Sequence, residues 1–235
     1  MQYLGGKSKI RKRVAAFLEN LRKPGQSYLE PFVGGAWVLQ EMSGERHASD
    51  GNIALIAMYQ MLQLGWEPPD LVSEDEWRRY REMKDVVADP MMAFARFGCG
   101  FGGDWMGGYA RSTGKDCYAS TSKRSLIKQL PMIRDVRFTA GDYRQHRPKN
   151  MLIYCDPPYE STTSYGAFDG FDHSAFWETM RAWSVENTVV VSEYKAPDDF
   201  ICVAEFDSRM GITVAKEGRP IRSEKLFMTK PEWMI

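Results

Sequence analysis

The chain has 235 residues, 43% of them hydrophobic and 13% aromatic, enough for one main core with a sizeable insertion. No run approaches the roughly 18 apolar residues needed to span a membrane, and Met1 to Lys7 has no signal-peptide apolar region. With 31 basic and 31 acidic residues the net charge is zero, which speaks against indiscriminate coating of nucleic acid, and four cysteines without CxxC spacing argue against a zinc site or disulfide framework.

In chain order, Ile10, Val14, Phe17, Leu18 and Leu21 recur at helical spacing, so a helix is predicted from Ser8 to Leu21, ended by Pro24-Gly25. A short strand, Tyr28-Leu29-Glu30, enters the turn Pro31-Phe32-Val33-Gly34-Gly35, and a helix is expected from Ala36 to Met42. A second strand, Arg46 to Ser49, closes in Asp50, and a helix runs from Asn52 to about Leu64. This β-α-β order with short connections predicts a parallel sheet with crossover helices. From Gly65 to Arg134 the pattern changes to charged helical segments around a glycine- and aromatic-rich stretch, Phe97 to Tyr109. Sheet logic then resumes, with strands at Val136 to Ala140, Met151 to Cys155, Thr188 to Ser192 and Ile201 to Phe206, and a helix from His173 to Val185. Gly211 to Lys230 reads as a hairpin whose second strand is Lys225 to Thr229.

The segment Asp156-Pro157-Pro158-Tyr159 directly follows the apolar run Met151 to Cys155. At the carboxyl edge of a sheet, where α/β proteins bind ligands, it would present a carboxylate, the Pro157 carbonyl and an aromatic face. The prolines lack N–H groups, so Asp156 and the Pro157 carbonyl can accept the two hydrogens of an amine while Tyr159 stacks on its ring, a role that needs only the ring. A plain proline turn has the same sequence, but the buried strand before it and Tyr159 after it favour a site for a flat, amine-bearing ring.

Other segments fall at strand ends as well. Gly5-Gly6-Lys7-Ser8 resembles the tail of a phosphate-binding loop but lacks the required preceding residues and strand. Pro31 to Gly35 forms a glycine turn that a ligand can approach closely, and Asp50 has the placement of an acid that grips ribose hydroxyls, or of a turn residue before Gly51. Gly141-Asp142-Tyr143 ends the third strand. Tyr194 lines a base pocket or packs in the core, and His173 beside Asp172 reads as a helix start rather than a catalytic group. Between Arg111 and Lys149 ten basic residues face three acidic ones, leaving +7 there and −7 elsewhere. Such a block follows a phosphate backbone or is a solvated face. The glycine-aromatic loop is either a DNA-contacting element, with Trp105 or Tyr109 as wedge, or an ordinary loop.

Taken together in this order, Tyr3-Leu4-Gly5-Gly6-Lys7, Leu29 to Gly35, Ser49 to Asn52 and Asp156 to Tyr159 resemble the motifs of the Dam-type adenine-N6 DNA methyltransferases. In that group the cofactor motif comes first, the target-recognition insert second and the catalytic motif last. The resemblance implies a Rossmann-like, mostly parallel seven-stranded α/β sheet, with residues 1–64 and 135–235 as the catalytic domain and 65–134 as the DNA-binding insert. It implies S-adenosylmethionine as cofactor, held by Tyr3, Gly6, Lys7, Pro31, Phe32, Gly34, Asp50, Asp142, Tyr143 and Asp156, with no metal. Catalysis would fall to Asp156, Pro157, Pro158 and Tyr159, and contact with double-stranded DNA to Trp105, Tyr109, Arg111, Lys123 and Arg124, in the cytoplasm of a bacterial or phage-infected cell. Two departures stand out: Ala36 follows Gly34-Gly35 where a further glycine is common, and Gly51 follows Asp50 where Ile is common. A cytosine-N4 methyltransferase would need the same acceptors, and an inert DNA-binding relative would keep the insert. Recognition sequence and oligomeric state are not legible.

Overall fold

A computed structural model describes residues 1–111, 117–160, 170–209 and 221–231. Seven strands, β1 (Ser27–Glu30), β2 (Arg46–Asp50), β3 (Arg137–Ala140), β4 (Met151–Cys155), β5 (Thr188–Glu193), β6 (Phe200–Arg209) and β7 (Ile221–Thr229), form one sheet. Their order is β3-β2-β1-β4-β5-β7-β6. The first five pair in parallel, and β7 runs antiparallel to both β5 and β6. The inner strands are apolar without alternation because helices cover both faces: Leu152, Ile153, Tyr154, Val189, Val190 and Val191 are all buried. This is a Rossmann-like α/β fold. The chain winds outward from β1 to β3, then returns to the centre at β4 and winds the other way to β5. The point of reversal, where such sheets open a crevice at their carboxyl edge, therefore lies between β1 and β4.

The α-helices among the described residues are α1 (Arg11–Leu21), α2 (Ile53–Gln63), α3 (Glu74–Glu82), α4 (Pro90–Ala93), α5 (Tyr118–Ile133) and α6 (His173–Ser184). Several starts are fixed by side-chain caps. Asn52 accepts from Leu55 N–H at α2, Ser73 and Glu76 form a capping box at α3, and Asp172 accepts from Ala175 N–H at α6. One apolar core runs from α1 and α2 through Trp77, Phe94 and Trp105 to Leu126 of α5, so segment 65–134 packs directly on the sheet's helical layer. A second cluster, with Phe176, Trp177, Met180 and Trp183 of α6, covers the opposite side of β4 and β5.

Two expected elements differ. The helix expected over Ala36 to Met42 is only a 3-10 turn, Leu39–Glu41. Gly34 and Ala36 both have positive φ, 45° and 55°, and the carbonyls of Gly35 and Ala36 accept from Gln129 Nε2 at 3.0 and 3.1 Å, so the chain cannot enter a helix there. For Ala36 the left-handed conformation costs about 1–2 kcal/mol, which explains why glycine suits this position in the family the motifs resemble. The hairpin expected within Gly211 to Lys230 is instead formed by β6 and β7, with Phe200 opposite Thr229; residues 210–220 lie outside the described ones. At the other departure, a Cβ on Gly51 would meet nothing within 4 Å, so a side chain can start there without a clash.

The segment Met1 to Lys7 is wedged between the two halves. Leu4 N–H donates to Gly103 O at 3.0 Å, and the Tyr3 ring lies 4.8 Å from Phe97. On its other side the same ring leaves only 2.8 Å to a side-chain carbon built on Gly34. At Gly103 that carbon would come within 2.6 Å of Gln2, so only glycine lets the loop approach so closely.

Candidate active site

Parallel pairing of β1 with β4, Leu29 opposite Ile153, brings the turn after Glu30 beside Asp156 at the point of reversal. On the β1 and β2 side, the Asp50 carboxylate accepts from Gly34 N–H at 3.0 Å and from Asn52 N–H at 2.9 Å. Burial raises its pKa, and these two donors oppose the rise. Each oxygen holds one backbone N–H and keeps lone-pair capacity, so the carboxylate suits a pair of ribose hydroxyls. Tyr59 Oη donates to Gly34 O at 2.8 Å and fixes the turn from behind.

On the β4 side, Lys7 Nζ donates to both oxygens of Asp156, at 2.7 and 2.8 Å. Burial lowers the Lys7 ammonium, but Asp156 and Glu224 outweigh it and the net shift is upward. Burial raises the Asp156 carboxyl, Lys7 opposes this, and Glu224 adds to it. Glu224 of β7 lies 3.5 Å from Lys7 Nζ and accepts from the hydroxyls of Tyr159 and Ser192. The Tyr159 ring has Lys7 Nζ 4.9 Å from its centroid and meets Tyr194 edge-on, centroids 4.8 Å apart. Tyr194 therefore flanks Tyr159 rather than the deep core. His173 opens α6 after its cap Asp172, in the wall of a cavity of about 420 Å³ that also touches Glu160 and Lys195. A second cavity, about 470 Å³, lies between Tyr3, Trp37 and the first turns of α5.

The structure brings together Tyr3, Gly6, Lys7, Gly34, Asp50, Asp156 and Tyr159 around this edge, through contacts of Tyr3 with Gly34, of Gly34 with Asp50 and of Lys7 with Asp156 and Tyr159. Pro31 and Phe32 follow β1, and Pro157 is buried. Asp142 has Arg144 on both its oxygens, which pulls its pKa down. Tyr143 packs in an aromatic cluster with Phe32, Phe176 and Trp183 at 5.0, 5.8 and 6.4 Å.

Glu193, at the end of β5, is only 5% exposed, and its carboxylate accepts from Tyr194 N–H at 2.7 Å and Glu160 N–H at 3.2 Å. It thus ties the residue after Tyr159 to the sheet. Burial pushes its pKa up to about 7; the two N–H donors oppose this, and Asp156 and Glu160 add to it. A folded pKa above the ordinary value means that its contribution to stability is full below that ordinary value and fades as pH rises through about 7. The loss is of order 1–3 kcal/mol. We expect Glu193→Gln to flatten the fall in Tm between about pH 5 and pH 8; the same slope in both proteins would rule Glu193 out as its source.

The residues expected to touch DNA are placed differently. Trp105 is 5% exposed, with Phe97 4.8 Å away and the Arg96 guanidinium 3.7 Å from its ring, so it holds the insert together and is not available as a wedge. Tyr109 is half-buried, its hydroxyl donating to Val72 O at 2.8 Å. Arg111 is exposed but forks onto Glu74, Lys123 pairs with Asp70 at 2.9 Å, and Arg124 is exposed on α5. Of the ten basic residues in the Arg111 to Lys149 block, Arg144 and Lys149 also have acidic partners, and Lys115 lies outside the described residues. The loop exposes other apolar side chains instead: Phe101 at 63% and Met106 at 39%, next to Leu4 at 48%. Its tip is ordered by Phe101 N–H to Gly108 O at 2.8 Å and the Gly100–Tyr109 bridge.

No protein-family model matches the chain, and no curated protein matches it. Among solved structures it is similar to SMU.472, assigned as a methyltransferase and crystallised with SAH, at 10% identity and a TM-score of 0.33 over 96% of this chain and 54% of that one. The chain therefore spans about half the length of that protein.

Proposed function

We propose that the chain is an S-adenosylmethionine-dependent DNA methyltransferase acting on the N6 amine of adenine, with 65–134 as its target-recognition insert. The observation that carries this is the convergence, at the point of sheet reversal, of Asp50 held by the glycine turn and Asp156 held by Lys7. Asp50 accepts the ribose hydroxyls, and the Pro31 to Gly34 turn with Tyr3 lines the nucleoside. The cofactor supplies a methyl group on a positively charged sulfur.

An exocyclic amine is a poor nucleophile while its lone pair is delocalised into the ring. Asp156 and the Pro157 carbonyl accept its hydrogens and favour a pyramidal nitrogen. Two carboxylates, Asp156 and Glu224, share the single ammonium of Lys7, an excess of negative charge that favours a cation beside them. Since the amine is out of reach in a duplex, the base must be flipped at a cost of a few kcal/mol. Stacking on Tyr159, about 1–3 kcal/mol, offsets much of that.

Phe101 is the more exposed of the two apolar residues on an ordered tip, and apolar wedges between base steps stabilise a distorted duplex. Phe101→Ala should weaken binding to a cognate duplex by about tenfold with little change in salt slope, since no phosphate contact is lost. Unchanged affinity in a duplex titration would remove Phe101 from the interface.

The deciding experiment is transfer from labelled S-adenosylmethionine to duplex DNA followed by nucleoside analysis. N6-methyladenine is the expected product. N4-methylcytosine would redirect the specificity, and DNA binding without transfer would leave an inert binding protein.

A further inference from the structure

We propose that Glu224 is a positioning residue of the catalytic site, setting the Tyr159 ring and the Lys7 ammonium relative to Asp156; this rests on the methyl-transfer reading above. Nothing in the local sequence singles Glu224 out. It reaches the site through β7, which pairs antiparallel to β5 with Leu226 opposite Ser192 and Lys225 opposite Glu193. Side chains alternate along a strand, so Glu224 points to the same face as Leu226, which is fully buried, while Lys225 points the other way. That face carries Lys7, Tyr159 and Ser192.

Three donors converge on one oxygen of this carboxylate. Glu224 Oε1 accepts the hydroxyls of Tyr159 and Ser192, which are 3.1 Å apart, and lies 3.5 Å from Lys7 Nζ. A tyrosine that only offers a stacking face needs none of this. Here the hydroxyl is anchored at one end, and the edge-on contact with Tyr194 braces the ring, so its plane is fixed before a base arrives. The ring-only role expected for Tyr159 from sequence is thereby extended to its hydroxyl.

The second effect is electrostatic. Lys7 divides its ammonium between both oxygens of Asp156 and Glu224. Removing Glu224 leaves Asp156 as the nearer counter-ion alone, so Lys7 competes harder with an incoming amine for the Asp156 lone pairs. Neither effect adds or removes a direct contact with the cofactor or the DNA. They should appear in turnover and leave binding largely alone.

The test measures kcat and KM for DNA and the affinity for S-adenosylmethionine in the full chain for Glu224→Ala, Glu224→Gln, Tyr159→Phe and the double variant Tyr159→Phe/Glu224→Ala. Glu224→Ala should lower kcat by about tenfold and shift both binding parameters by no more than about twofold. Glu224→Gln should recover part of the loss, because its amide oxygen still accepts from Tyr159 but cannot balance Lys7. Tyr159→Phe should resemble Glu224→Ala, and the double variant should be no worse than either, as expected for residues acting as one unit. Should Glu224→Ala fail to fold in a thermal melt, Glu224→Gln and Ser192→Ala carry the same comparison. Parental kcat in Glu224→Ala, a loss confined to KM, or additive losses in the double variant would overturn the positioning role while transfer by the parent stands. Absence of transfer by the parent would overturn the underlying reading and this role with it.

Discussion

Replacing Asp156 by alanine should abolish methyl transfer, with a loss of at least about 10²–10³-fold, in a protein that stays folded. In the proposed mechanism the carboxylate is the charged acceptor for the amine, and in the structure it holds Lys7 through two hydrogen bonds of 2.7 and 2.8 Å. Alanine removes both functions, whereas asparagine keeps one neutral acceptor and should retain slightly more activity. Folding should survive because Glu224 remains 3.5 Å from the ammonium as a second counter-ion. Single-turnover transfer with saturating cofactor and DNA checks this. Retention of a tenth of parental turnover would take Asp156 out of the central role.

Asp50→Ala should weaken S-adenosylmethionine binding by about 1–3 kcal/mol, the usual cost of losing hydrogen bonds to a charged acceptor. The substitution also strands Gly34 N–H and Asn52 N–H, which donate to this carboxylate now, so some loosening of the turn is expected beside the lost ribose contacts. Asp50→Asn separates the two, since an amide oxygen can still accept from the backbone. Calorimetry decides: unchanged affinity in both variants would move the ribose role to another residue.

The parallel half of the sheet was legible because strands buried on both faces are unbroken apolar runs, and Met151–Cys155 was bounded to the residue. Asp50 and Asp156 were legible for a related reason, as polar residues standing immediately at strand ends. Ala36 was not, because alanine's own propensity disfavours the left-handed conformation it takes, and the partner of its carbonyl, Gln129, lies 93 residues away. The loop from Phe97 to Tyr109 announced itself by composition, yet which aromatic ring faces outward depends on Arg96 covering Trp105 and leaving Phe101 bare. Glu224 carried no local signal at all. It lies 65 residues from Tyr159, and only the antiparallel entry of β7 beside β5 makes them neighbours.

The N-terminal segment works as a tie-rod. One end is pinned to the insert by Leu4 on Gly103 and Tyr3 on Phe97, and the other ends in the ammonium that grips Asp156. Only Gly5 and Gly6 separate the two anchor points, too few residues to absorb a displacement of the loop as slack. On the proposed DNA-methyltransferase reading, a shift of the loop on a mismatched duplex would be passed along the chain to the Asp156 carboxylate, so that sequence checking would register as a slower reaction as well as a weaker grip.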